Sequence, residues 1–304
     1  MKRIFKPTST IGKKMKIYSF IVLSIIFLFN GKAFSQGEEK KESDEGKKPA
    51  KPAFASSLLM EEQSVIVPAA KTLQFDLQHR FGTVENGASD IFGIYAASAN
   101  IRMALTYSPI KNLSVGIGIT KLKQYVDLNA KYSLLKQTKD WSMPVSVSIF
   151  GNIVSDNRGG AYETGMYPKS AYKYSYFSEL IIACRVSSKL SLQVTPSFSH
   201  YNAMDTLMSH NVIAVGFSGR YKVSNQSSFM VNYIQQLTKH DNPNYNLKPG
   251  ITIGWEIATS GHAFQIFATS FQGIIPQENI TFNQNDFSNR QWMIGFNITR
   301  LWNF

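Results

Sequence analysis

The chain is poor in cysteine, with Cys184 as the single one among 304 residues. One cysteine excludes an internal disulfide, and the absence of a cysteine after the apolar N-terminal run excludes a lipoprotein. Cys184 closes the apolar stretch Leu180–Cys184, so we expect a small buried hydrophobic side chain rather than a reactive thiol. We therefore expect neither an internal disulfide nor a reactive thiol in this protein.

The N-terminal region lacks an apolar run long enough for a comfortable transmembrane helix, which needs about 20 residues. Its apolar run covers 21–29, follows a lysine cluster at 13–16 and precedes Ala33-Phe-Ser35. That order is typical of a secretory signal peptide, and an uncleaved anchor is the less favoured alternative. We predict that residues 1–35 are a signal peptide, with Met15 as the expected true start.

Acidic residues are too few to balance the basic ones, and the net charge is +12. Residues 1–35 carry seven Lys or Arg and no acid, so their removal lowers the net charge to +5. The remaining excess is spread over predicted strands and turns without a cluster. This distribution argues against a nucleic-acid partner.

Helical periodicity is nearly absent from Thr72 onward, where apolar and polar residues alternate instead, as in Leu73–Gln78. The pattern predicts about twelve strands, each near the roughly 9–11 residues that a tilted strand needs to cross a membrane. They lie at Leu73–Gln78 and Asn100–Tyr107, and near 113–121, 125–136, 143–154, 174–186, 190–200, 211–222, 228–237, 250–258, 262–271 and 290–302.

The connections between these strands alternate in length. Tight turns are expected at 109–112, 137–142, 187–189, 224–227 and 259–261, and longer loops at 81–99, 155–173, 201–210, 238–249 and 272–289, with 122–124 as a short exception. An even strand count with both termini on the short-turn side predicts an all-β transmembrane antiparallel up-and-down barrel over 71–304. A soluble β-sandwich is the structural alternative.

The last strand ends the chain on an aromatic residue. Trp292, Ile294 and Phe296 lie on one side of it, and such an edge can pair with the first strand and close a barrel. The terminus resembles the C-terminal signal of bacterial outer-membrane barrels, with Trp302 and Phe304 as the candidate assembly signal. It implies the outer membrane of a Gram-negative bacterium, periplasmic termini, and both the barrel assembly machinery and outer-membrane lipid as partners.

Residues 36–70 are expected to form a flexible charged periplasmic leader, because 36–57 contain little that can be buried. Two short apolar patches follow, Leu58–Met60 and Val65–Val67. They could plug the barrel or bind a partner, but packing at the barrel mouth is the favoured interpretation.

The polar face of the strands would line a lumen, and its charges are nearly balanced in sign. Balance favours a cross-lumen network over a selective pore, in which rings of one sign are expected. The candidate network consists of Asp76, Arg80, Arg102, Asp127, Lys131, Glu179, Arg185, Arg220 and Glu256. Small lumen residues such as Gly118 and Gly216 would make room for a solute or for long arginine side chains. A narrow small-solute pore and a plugged structural or partner-binding barrel, using outer loops such as 155–173, both stay open.

Metal-binding and catalytic patterns are lacking as well. The five histidines have no metal-motif spacing, and no G-x-S-x-G nucleophile elbow occurs. His200 has Ser197 and Ser199 nearby, but on a regular strand their hydroxyls point away from the imidazole. We therefore expect no catalytic, metal or cofactor-binding residue and no enzyme, with an outer-membrane lipid hydrolase as the alternative.

Ordered motifs follow one another along 71–304. They are Leu73–Gly82, Asp90–Gly93, Ala99–Arg102, Gln124–Tyr132, Met143–Ser146, Leu190–Pro196, Gly261–Gln265 and Phe296–Arg300. Together they resemble those of an uncharacterised family of Gram-negative outer-membrane β-barrels, a domain of unknown function. The resemblance implies a barrel in the outer membrane and supplies no substrate, catalytic residue or cofactor.

Overall fold

The computed structural model describes residues 47–158 and 169–304. Within those residues the fold consists of short and long β-strands and one α-helix. The elements are β1 (Leu58–Leu59), β2 (Glu62–Gln63), β3 (Thr72–Thr83), β4 (Asn100–Ile110), β5 (Leu113–Thr120), β6 (Tyr125–Leu135), β7 (Ser146–Ser155), β8 (Tyr174–Arg185), β9 (Leu190–Tyr201), β10 (Asn211–Lys222), β11 (Ser227–Gln236), β12 (Gly250–Ala258), β13 (His262–Thr269), α1 (Pro276–Phe282) and β14 (Met293–Asn303). The predicted signal peptide 1–35, residues 36–46 of the predicted leader and residues 159–168 of the loop 155–173 lie outside the described residues.

A closed barrel forms from the twelve strands β3 to β14 of the described chain. Each strand pairs antiparallel with the next, and β14 pairs with β3 through contacts such as Phe296↔His79 and Asn303↔Thr72. This confirms the up-and-down barrel, and closure leaves no unpaired sheet edge to face lipid. In this region no helix is both long and apolar enough to cross a bilayer.

Most strand boundaries lie within two residues of the predictions. The first two strands are longer than predicted and end at Thr83 and Ile110 instead of Gln78 and Tyr107. The strand expected over 143–154 begins only at Ser146, because Thr138 donates a backbone hydrogen bond to Met143 and holds that stretch in a turn. The last strand begins at Met293 rather than at 290.

The two faces of the barrel wall differ in chemistry as the alternation predicts. Outward side chains are apolar and exposed, for example Leu128, which is 59% exposed. Inward side chains are mostly polar and buried, for example Gln74 and Asp76. The outer face suits hydrocarbon, and the inner face needs water or polar partners.

The barrel has two distinct ends, which we call the turn end and the loop end. The turn end carries 111–112, 136–145, 186–189, 223–226 and 259–261, and the loop end carries 84–99, 121–124, 156–158, 169–173, 202–210, 237–249 and 270–292. β3 begins and β14 ends at the turn end, where Thr72 pairs with Asn303, so the segment before β3 joins the barrel there.

The barrel interior holds a segment that precedes its first strand. Residues 53–66, which we call the plug, form the β1–β2 hairpin, with Leu59 opposite Glu62. Phe54, Leu59 and Met60 are buried among apolar side chains of the wall. The structure thus differs from the expected flexible leader over this stretch, because its apolar patches find their partners inside the barrel rather than at its mouth.

A second segment fills the interior from the loop end. Helix α1 lies in the loop 270–292, and its residues 277–281 are buried against β8, β9, β10 and β11. Pro276 stands at its first turn, where the fixed φ of proline favours a helix start. Seven residues are too few to show helical periodicity, so the sequence predicted only a loop here.

Candidate functional site: the barrel interior

The strongest link between wall and plug is a buried ion pair. Arg80 on β3 donates from Nε to Glu61 Oε1 at 2.9 Å and from Nη2 to Oε2 at 3.0 Å. Both side chains are 0% exposed. The guanidinium also lies 4.5 Å from the centre of the Phe267 ring. A paired arrangement of this kind fixes both position and orientation of the plug tip.

The neighbouring carboxylate of the plug contacts the opposite part of the wall. Glu62 accepts hydrogen bonds from Thr195 Oγ1 at 2.5 Å, from Asn232 Nδ2 at 3.3 Å and from the Ser218 hydroxyl. A side chain at Gly216 would collide with this carboxylate. The small residue at 216 therefore makes room for the plug and not for a solute.

Wall amides satisfy the plug backbone, which has few internal hydrogen bonds of its own. Gln265 accepts from the Met60 amide at 3.1 Å and donates to the Leu58 carbonyl at 3.0 Å. Gln193 accepts from the Val65 amide at 3.1 Å and donates to the Gln63 carbonyl at 2.8 Å. Buried backbone groups need such partners. These glutamines could not be recognised from sequence, because the same residue type would line a hydrated pore.

Lys131 on β6 also holds the plug rather than an acid of the wall. Its Nζ donates to the carbonyls of Ser57 and Ser64 at 3.0 and 3.1 Å and to Gln63 Oε1 at 3.0 Å. All three of its donors are thereby used.

Other predicted network residues pair within the wall. Arg102 donates to Asp127 at 2.8 and 2.7 Å, and a Cβ on Gly118 would lie 2.5 Å from this pair. Arg220 donates to Glu256 at 2.9 Å. Gly118 thus accommodates the arginine side chain, one of the two explanations that the sequence allowed.

Among the described residues, two of the predicted interior acids of the wall, like Glu62 of the plug, have no basic partner at hydrogen-bonding distance. Asp76 accepts from Thr299 at 2.7 Å and from Gln74 at 2.6 Å. Glu179 is buried, and its Oε1 has no hydrogen-bond partner.

Arg185 does not belong to this interior set. Its guanidinium donates to the carbonyls of Ser187 and Ser188, at 3.2 and 3.3 Å, in the β8–β9 turn. The alternation places residue 185 on the inward face, but it is the last residue of β8 and its side chain reaches the turn instead. Conversely, the sequence did not assign Glu61 and Glu62 to the interior, although both follow directly on the apolar patch Leu58–Met60.

A further acid, Glu278, holds helix α1 at the loop end of the barrel. Glu278 accepts from the Tyr125 hydroxyl at 2.6 Å and from Lys123 Nζ at 2.9 Å, and Tyr201 donates to it at 3.3 Å. These contacts connect α1 to β6, β9 and the short connection between β5 and β6. The plug and α1 therefore fill the interior from its two ends.

The loop that carries α1, residues 270–292, also forms an ion pair with the loop 237–249. Lys248 Nζ lies 3.3 Å from Asp286 Oδ2. The Ser288 backbone amide, and then the Lys248 ammonium group, lower the pKa of Asp286. At neutral pH this carboxylate is charged, and the contact persists.

Substituting Arg102 by alanine is expected to destabilise the barrel. Asp127, 1% exposed in its side chain, would lose its ionic partner, at a cost of about 3–5 kcal/mol. Urea unfolding of the refolded barrel measures this loss. Arg185→Ala, in the exposed turn, is the matched control and should change stability by about 0.5 kcal/mol or less. Equal effects of the two substitutions would contradict the assignment.

The serine and histidine side chains considered for hydrolysis do not meet. His200 Nδ1 lies 2.7 Å from Asn211 Oδ1 on the outer face. Ser199 bonds to Thr281 at 3.0 Å, and Ser197 donates to the Ala214 carbonyl at 3.3 Å. Among the residues described, no three His, Cys, Asp or Glu side chains converge to hold a metal ion.

A family model described as "Membrane bound beta barrel domain (DUF5777)" matches residues 54–302. The matched region begins inside the plug. No match is found among curated proteins.

Several solved structures are similar in form. The NanC porin is 10% identical, with 76% of this chain and 99% of that chain covered and a TM-score of 0.45. The KdgM porin is 8% identical, with 77% and 99% covered and a TM-score of 0.43. An outer membrane channel from Pseudomonas putida F1 is 8% identical, with 78% and 97% covered and a TM-score of 0.47. Identities and TM-scores this low carry no conclusion about what this chain transports or binds.

Proposed function

Since the chain belongs to the membrane-bound β-barrel family that its residues 54–302 match, we propose that it is an outer-membrane pore for small solutes whose own plug holds it closed. The observation that carries this proposal is the plug itself, a segment of the chain inside the lumen with both of its connections at the same end of the barrel. The plug is the gate, and the polar wall behind it is the conduction path.

The connections of the plug allow it to leave the lumen without unthreading. Before the plug, Ala50 donates to the Gln137 carbonyl at 2.7 Å, in the β6–β7 turn. After it, Lys71 accepts from the Phe304 amide at 3.1 Å, beside the start of β3. Both positions lie at the turn end, so the plug is a loop inserted from one side and can be withdrawn toward that side.

The wall that a withdrawn plug would expose combines apolar side chains with polar groups that water can solvate. Arg80, Lys131, Gln193 and Gln265 bond to the plug through charged or amide groups that water can replace. A purely structural filling of the lumen is the competing function. The buried apolar cluster around Phe54, Leu59 and Met60 favours that function, whereas the buried pair of Arg80 and Glu61 favours the gate, since buried ion pairs seldom add net stability.

The proposal predicts that the refolded full-length barrel is closed for most of the time in planar bilayers, with rare openings. The reason is that the plug and α1 both occupy the lumen. Single-channel recording at low voltage is the measurement. A steady large conductance of the intact chain would show that the lumen is open despite the plug and would reject the gate.

The proposed location is the outer membrane of a Gram-negative bacterium, with the turn end and both termini in the periplasm. Short turns on the periplasmic side and longer loops outside are the usual plan of such barrels. Trp302 and Phe304, at the end of β14, are the proposed signal for the barrel assembly machinery. Phe304 is 81% exposed, so it is accessible to such a partner.

Epitope tags test this orientation. A tag in residues 36–46 should resist external protease in intact cells and become cleavable after the outer membrane is permeabilised. A tag in the loop 237–249 should be cleaved in intact cells. The reverse pattern would place the turn end outside.

The proposed function includes no enzymatic step. A hydrolase of the lipid-facing wall would need a serine hydroxyl beside His200, where the structure places the Asn211 amide and the rings of Tyr176 and His210. Lipid turnover by the purified barrel that His200→Ala abolishes would restore the hydrolase alternative.

A further inference from the structure

The plug changes the charge balance of the lumen. Four acids of the interior form ion pairs: Glu61 with Arg80, Asp127 with Arg102, Glu256 with Arg220 and Glu278 with Lys123. Three further acids, Glu62, Asp76 and Glu179, then have only Lys131 to balance them. In the part of the chain that the structure describes, the interior around the plug carries an excess of two negative charges when these groups are ionised.

A small cavity lies beside two of these acids, Glu62 and Glu179, between the plug tip and α1. Its volume is about 20 Å³, enough for one particle of the size of a water molecule. The lining includes Glu61, Glu62, Glu179, Ser197 and Asn279. Since Glu61 is paired with Arg80, Glu62 and Glu179 contribute the charge of this cavity.

Two side chains on the cavity have polar atoms without a partner. Glu179 is 7% exposed, and its Oε1 accepts no hydrogen bond. Asn279 on α1 is 3% exposed, and neither atom of its amide group is bonded. Buried polar atoms of this kind are costly to leave unsatisfied, so a water molecule or an ion in the cavity would be stabilised by bonding to them.

We propose that this cavity binds one small monovalent cation in the closed state of the barrel. The Glu179 carboxylate and the Asn279 amide oxygen are its ligands, and Glu62 adds negative charge from the plug side. Lys131 cannot take this role, because its ammonium group is held by the plug carbonyls. The available volume excludes larger organic cations. The site concerns the closed state and does not depend on whether the barrel ever conducts.

A cation here would connect three parts of the molecule that are far apart in sequence, namely the plug, the wall strand β8 and α1. Binding to the closed state alone stabilises that state by mass action. We therefore expect the resistance of the barrel to unfolding to increase as the concentration of the small cation rises.

The test measures the melting temperature of the refolded full-length barrel, at constant pH and ionic strength, in chloride salts of sodium, potassium, rubidium and tetramethylammonium. We expect a higher melting temperature in at least one of the small cations than in tetramethylammonium. Glu179→Gln should abolish the difference, whereas Glu85→Gln, which removes a carboxylate in the exposed loop after β3, should preserve it.

A second measurement keeps the proposal testable if Glu179→Gln does not fold. Crystals of the intact barrel grown in rubidium chloride should show an anomalous scattering peak between Glu179 and Asn279. Equal melting temperatures in all four salts together with no peak would overturn the proposal. Stability that changes with pH alone would show that a proton, and not a cation, neutralises the acids.

Discussion

A variant without the plug is expected to conduct steadily in planar bilayers, whereas the intact barrel should be closed for most of the time. The variant replaces residues 53–66 by a short Gly-Ser linker, which is feasible because both flanking segments lie at the turn end. The physical reason is that the removed residues bond to charged and amide groups of the wall, and water takes their place. The measurement is single-channel conductance, and we expect at least a tenfold increase in mean current.

A matched deletion separates the plug from the charged segment before it. Removing residues 36–46 shortens the chain by a comparable length but retains the plug, so the pore should stay closed. Replacing α1, residues 276–282, by a linker in the plug-deleted variant should raise the conductance further, because α1 narrows the lumen at the loop end. Unchanged current after plug deletion, in a barrel shown to be folded, would mean that the plug is not the gate.

A second large effect is expected when the ion pair between Arg80 of the wall and Glu61 of the plug is broken. Arg80→Ala leaves the Glu61 carboxylate buried without a partner, since both side chains are 0% exposed. The cost of an uncompensated buried charge is about 3–5 kcal/mol. Because withdrawal of the plug returns Glu61 to water, we expect this energy to favour the withdrawn state. Faster hydrogen exchange at residues 58–66 and more frequent channel openings are the measurements.

A double substitution provides the control for this effect. Arg80→Met combined with Glu61→Leu removes both charges, and an apolar pair of similar size is often neutral relative to a buried ion pair. The double variant should therefore be closed more often than either single variant. If the effects of the two single changes simply add in the double variant, the residues act independently and the predicted coupling is absent.

The wall of the barrel could be predicted from the sequence because every strand repeats one signal. Alternation with period two sets both the strand and its orientation, so Asp76, Arg102 and Asp127 could be placed inside. Arg102 on β4 pairs with Asp127 on β6 across β5, where Gly118 leaves room, and the two residues are only 25 positions apart in the chain. Local pattern and short separation together made this part of the site predictable.

The plug could not be predicted in the same way. Its strands are two residues long, too short for any periodicity to appear. Its partners are remote, since the amide of Met60 bonds to Gln265 and that of Val65 to Gln193. Its apolar patches, Leu58–Met60 and Val65–Val67, were the only sequence feature that predicted packing of this segment against another surface. The surface that the plug packs against is the inner wall of the barrel. That wall exists only when all twelve strands have closed, so no local sequence pattern identifies it.

The plug also contacts the seam of the barrel, where the first strand, β3, pairs with the last strand, β14. Its tip bonds to Arg80 on β3 and, through the Met60 carbonyl, to Asn297 on β14. These are the first and last strands, and Arg80 itself donates to Asn297 at 3.0 Å. A segment bound to both sides of this seam holds the first and last strands together, so the plug braces the closure of the barrel as well as filling it.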